Sequence, residues 1–167
     1  MSLDFIETRY CQYVEEVINH HHLDRLGAYL TSDVVVHAPD VPLGLAGARQ
    51  VLASYFIAFP DFHLTIEAVL ALDGDLLARL TATGTHAGPF LGVATSGQRV
   101  RVCAFEAWRI RDGWCAEHWL HLDVLGLLQQ LGAAPPVEPV ISPVSTVMSR
   151  HPLALERYGR PARLRHW

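Results

Sequence analysis

Between Phe5 and Ile18 the apolar side chains Ile6, Tyr10, Tyr13, Val14, Val17 and Ile18 recur three or four positions apart, which describes one stripe of an amphipathic helix. A shorter helix is expected over 22–30, with Leu23, Leu26, Tyr29 and Leu30 on its buried side. Thr31-Ser32-Asp33 breaks it, and the β-branched run Val34-Val35-Val36 predicts a strand that stops at Ala38-Pro39. Gly44 and Gly47 flank a loop. Val51, Leu52, Tyr55, Phe56 and Phe59 then predict a helix over 48–59, ended by Pro60-Asp61. From there the pattern changes to longer strands over 62–72, 76–86, 99–110 and 114 to 123, with turns at Asp73-Gly74-Asp75 and Asp112-Gly113. Helices gathered ahead of successive hairpins predict an α+β fold with a largely antiparallel sheet, not alternating βαβ units.

Residues 126–131 suit a closing helical turn, and Gly132 marks its end. Beyond it Pro135, Pro136, Pro139 and Pro143 make a stretch that cannot join a central strand. The expected organisation is one domain over 1–133 and a Pro/Arg-rich C-terminal extension over 134–167. Half the residues are hydrophobic and 18 % are charged, enough apolar material for one core and for the lining of a pocket.

Charge and residue usage narrow the function. All 13 basic residues are arginine, so a Schiff-base mechanism through a lysine amine is excluded. Five of those arginines fall within 150–167 (Arg150, Arg157, Arg160, Arg163 and Arg165), which leaves the body acidic. An acidic body argues against nucleic-acid binding, which needs a broad basic face. Gly84, Gly88 and Gly92 do not make a dinucleotide fingerprint. There is no membrane-spanning apolar run and no basic-then-apolar N-terminal leader, so a cytoplasmic location is expected. Cys11, Cys103 and Cys115 have no metal-ligand spacing and are expected as small buried fillers.

Several short motifs occur in order along 5–133. They are Gly44 with Gly47, Phe59-Pro60-Asp61, the run from Thr83 through His86, Phe90 and Gly92, Thr95-Ser96-Gly97, Glu117-His118-Trp119, Asp123, and Leu127 through Gly132. In this series the chain resembles the SnoaL-like polyketide cyclases of the NTF2-like superfold. The resemblance implies a cone in which N-terminal helices lie across a curved antiparallel sheet and enclose a deep apolar cavity, in a homodimer or higher homo-oligomer. It implies a hydrophobic small-molecule substrate and aldol-type cyclisation of a polyketide or related intermediate by acid/base catalysis, without cofactor or metal. Isomerases, dehydratases and hydroxylases of natural products share this frame, as do non-catalytic binding or association modules.

The candidate chemistry centres on 114–123. In a regular strand Cys115, Glu117, Trp119, His121 and Asp123 share one face, and Ala116, His118, Leu120 and Leu122 the other. The first face suits a polar pocket wall, although the solvated side of a sheet has the same composition. The resemblance places the catalytic carboxylate at Asp123, where desolvation at the closed end of an apolar cavity would suit proton transfer. Helix capping is the alternative for that residue. His121 joins it by alternation, whereas His118 points away and is expected to be structural. His118, His121 and Asp123 do not converge as metal ligands unless the strand is bulged. Glu117, Trp119, His37, His86, Phe56, Phe59, Phe90 and Trp108 are the expected substrate contacts. Arg79 and Arg101 sit in strands and are expected to pair with Glu106 or another acid.

Overall fold

A computed structural model of the chain describes residues 2–38 and 41–135. The strand stop at Pro39 and all but the first two residues of the expected 134–167 extension lie outside the described residues. Ser2 caps helix α1 (Leu3–Tyr13) by accepting a hydrogen bond from the Phe5 amide. The predicted first helix then changes register, since Val14–Asn19 is π-helical. This wider turn buries Val14, Val17 and Ile18 together. A 3-10 helix (Leu23–Ala28) leads into β1 (Leu30–Val36), which begins four residues earlier than the valine run.

Helix α2 (Gly44–Ala58) takes in both glycines expected to flank a loop. Gly47 lies so close to the Pro42 carbonyl that a Cβ there would collide with backbone. The hairpin strands follow as β2 (His63–Leu72), β3 (Asp75–Thr85), β4 (Arg99–Arg111) and β5 (Trp114–Leu122), and α3 (Val124–Gln130) closes the set. At the β4–β5 turn both Asp112 and Gly113 have positive φ, the conformation that an Asp-Gly hairpin turn requires.

The sheet order is β1-β5-β4-β3-β2, so β1 and β2 are its open edges. The three hairpin pairs are antiparallel, while β1 joins β5 in parallel. Register breaks in the β1–β5, β2–β3 and β4–β5 ladders bend the strands and give the sheet its curvature. Alternation is clear on β4, where Val100, Val102, Ala104, Glu106 and Trp108 are buried and the residues between them face outward. The N-terminal helix packs on this inner face, with Tyr10 and Tyr13 edge-on to Trp108 at centroid distances of 5.0 and 4.8 Å. Of the three cysteines only Cys115 is a buried filler. Cys11 and Cys103 are exposed, on the outer sides of α1 and β4.

Candidate active site

A cavity of about 160 Å³ lies between the helices and the inner face of the sheet. Helix α2 contributes Ala48, Val51, Leu52 and Tyr55, whose i, i+3, i+4, i+7 spacing is one helical face. Tyr13 and Ile18 come from the N-terminal helix, Leu30, Val36, His37 and Ala38 from β1 and its exit, and Phe62 and Leu64 from the start of β2. Ala104 and Glu106 of β4, His118, Leu120 and Leu122 of β5, and Val124 of α3 complete the wall.

The face of β5 that meets the cavity is therefore the one bearing His118. The ladder pairs Trp108 with His118, Glu106 with Leu120 and Ala104 with Leu122, and residues directly opposite in a ladder share a face. An extra residue at Ala116, where Ile110 pairs with Cys115 and Arg109 with Glu117, shifts the phase. As a result Cys115 turns inward and Glu117 outward.

Glu106 and His118 are 5 % and 8 % exposed, and Nε2 of His118 lies 3.6 Å from Oε2 of Glu106. The Tyr10 hydroxyl donates to that same carboxylate oxygen at 2.9 Å. Nε2 of His118 is buried without a hydrogen-bond partner. Buried polar atoms are ordinarily paired with protein or ordered water, so this nitrogen stands out on the cavity wall. Burial, followed by the Glu106 charge, pushes the Tyr13 and Tyr55 phenols above their ordinary range, and the Tyr10 phenol far above it. All three are thus held as neutral O–H donors around a carboxylate.

The residues expected from sequence fall elsewhere, with one exception. His37 lines the cavity, and it also stacks on Trp119 at 4.2 Å and bonds Glu117 at 2.9 Å. Glu117, Trp119 and His121 lie on the outer face of the sheet, where Arg109 approaches both Glu117 and the Trp119 ring. Asp123 is exposed, and its carboxylate caps α3 by accepting the Gly126 amide at 2.9 Å. It is not at the closed end of the cavity, because the chain turns there from strand to helix and the orphan amides take the carboxylate. His86 is buried with Nδ1 against Ser96, and Phe90 packs on Tyr55 and Phe59. Phe59 lines a small apolar crevice beside the main cavity, Trp108 lies beneath Tyr10 and Tyr13, and Phe56 stacks on His21. Arg79 and Arg101 point outward, away from the inward-facing Glu106. Glu106 could have been found from sequence as an acid in phase with Val100, Val102, Ala104 and Trp108.

A family model for SnoaL-like polyketide cyclases matches residues 8–131. The chain belongs to the SnoaL-like polyketide cyclase family. Among solved structures it is similar to TsrD from Streptomyces laurentii, at 28% identity over 80% of this chain and 99% of that one, with a TM-score of 0.76. It is likewise similar to AclR, a proposed hydroxylase from Streptomyces galilaeus, at 29% identity over 83% and 92% with a TM-score of 0.73. A SnoaL-like polyketide cyclase from Agrobacterium tumefaciens shares 26% identity over 79% and 100%, with a TM-score of 0.68. No curated protein matches the chain. Membership in the SnoaL-like family accounts for the cone, with helices across a curved, unclosed sheet around an apolar cavity. Among the described residues no helix is long and apolar enough to cross a membrane, and no group of three or more His, Cys, Asp or Glu is clustered as metal ligands would be.

Proposed function

We propose that this SnoaL-like protein catalyses cofactor-independent aldol-type ring closure of a hydrophobic polyketide or related carbonyl compound, with Glu106 and His118 as the proton-transferring pair. The observation that supports it is a buried carboxylate and a buried imidazole facing one apolar cavity, 3.6 Å apart. In such a site a proton leaving the carbon next to a carbonyl passes to the pair. The carbanion carbon then bonds to a second carbonyl carbon of the same molecule, that C=O electron pair moves onto oxygen, and the proton returns there. Atoms balance with no co-reactant. Tyr13 and Tyr55, held as neutral phenols, suit the stabilisation of enolate and alkoxide oxygens. An isomerase or dehydratase would use the same first step.

A second reading keeps the acid/base role on Asp123, with His121 beside it. It is favoured by the chain neighbours Leu122 and Val124, both of which line the cavity. Exchange of the α-protons of acetophenone for deuterium, followed by NMR, separates the two. Glu106→Gln and His118→Asn are expected to slow exchange by about 100-fold or more while Asp123→Asn stays near wild type. The reverse outcome transfers the role to Asp123, and no enzyme-dependent exchange in the wild type leaves a non-catalytic binding module.

We also infer a homodimer or higher oligomer assembled through the outer sheet face. Leu70, Leu77 and Phe105 support it, since each leaves about half its surface in solvent on that face.

A further inference from the structure

We infer that the group this cavity encloses is neutral and about the size of a single six-membered ring, and that multi-ring bodies and carboxylates stay outside it. The inference deepens the proposed function, since it rests on this cavity being the substrate site. Its first support is volume. At about 160 Å³ the cavity is close to the roughly 150 Å³ that houses one benzene in an engineered apolar core, and well below the pockets of about 300–1,000 Å³ that enclose drug-sized ligands.

The walls do not yield easily. Tyr13 closes the floor and is 1 % exposed, wedged edge-on against Trp108 at 4.8 Å and Tyr29 at 5.8 Å. To deepen the cavity there, that aromatic cluster must come apart, and packed interiors resist such repacking. On the opposite side Leu52 and Tyr55 belong to one face of α2, whose backbone would have to move as a whole.

Charge supplies the second support. Among the described residues no arginine lines the cavity, and the chain has no lysine. Among the described residues Glu106 is the one carboxylate on the wall, so a substrate carboxylate would lose water and meet a like charge with no arginine or lysine to pair with it. A neutral carbonyl instead finds the phenol groups of Tyr13 and Tyr55.

The test is calorimetric titration of the protein with acetophenone, 2-tetralone, anthrone and 4-acetylbenzoate, together with the variant Leu52→Ala. Wild type is expected to bind acetophenone at least about 10-fold more tightly than anthrone, because the added rings do not fit. It is expected to bind 4-acetylbenzoate at least about 10-fold more weakly than acetophenone. Leu52→Ala, which opens the wall, is expected to move the preference toward the larger ketones. Anthrone or 4-acetylbenzoate binding wild type as tightly as acetophenone overturns the inference, as does failure of every ketone to bind. The measurement involves no turnover, so an inactive Glu106–His118 pair with the size order intact would sink the catalytic assignment alone.

Discussion

The Nε2 atom of His118 lies 3.6 Å from Oε2 of Glu106, on neighbouring strands and inside the cone. That separation is too long for a hydrogen bond and within ion-pair range. Only Tyr10 donates to that oxygen among the described residues, so the pair depends on a helix residue 96 positions away in the chain. Tyr10→Phe removes this donor and leaves a buried carboxylate oxygen without it. The expected cost is about 1–3 kcal/mol in urea unfolding, with a smaller fall in α-proton exchange than Glu106→Gln causes. Unchanged stability would mean that the bond contributes little.

Alkaline pH probes the same cluster. Tyr10, Tyr13 and Tyr55 all have phenols raised above the ordinary value of 10.0 in the folded protein, so above about pH 10 the unfolded chain holds fewer protons than the folded one. Stability is therefore complete below pH 10 and declines as pH climbs past it, at about 1.4 kcal/mol per pH unit for each tyrosine that ionises only on unfolding. Thermal melts between pH 8 and 11.5 check the slope, and absorbance at 295 nm checks that these phenols do not titrate in the native protein.

Asp123 and Gly126 are coupled. A Cβ at Gly126 would press into the Asp123 carboxylate, so Gly126→Ala trades about 1 kcal/mol of helix propensity for a cap worth about as much. The substitution is expected to be close to neutral in the wild type and stabilising in an Asp123→Ala background. A double-mutant cycle by denaturant unfolding reads the difference, and additivity would show that the Asp123 cap and an alanine at 126 do not conflict.

Phe105, 54 % exposed on the outer face, tests assembly. Light scattering after size exclusion is expected to give a mass above one chain for wild type and a lower one for Phe105→Glu. A monomeric wild type removes the outer-face interface from consideration.

The helices and hairpin strands were legible because each records a local period. Tyr10, Tyr13, Val14 and Val17 repeat at helical spacing whatever surrounds them, and Val100 through Trp108 alternate whether or not β3 is beside them. Family membership was legible from short motifs, among them those at Gly44 and Gly84, which in this structure mark a positive-φ helix start and a close approach to Phe59. The inner face of β5 was not legible. One face is mostly polar, with Glu117, Trp119 and His121, and the other carries His118 among leucines; the polar face suits a pocket wall by composition, but the register with β4 turns the other one inward.

The amino-acid sequence alone determined the α+β layout, the order of elements and the family. The tertiary structure decided which histidine faces the cavity, through the extra residue at Ala116 and the pairing of β5 with β4. It also decided that Asp123 caps α3, because the amide of Gly126 is presented to it at the strand–helix corner. The physical reason is common to both. Periodicity is a property of neighbours in the chain, whereas register, bulges and the partners of a buried carboxylate are set by residues up to 96 positions away.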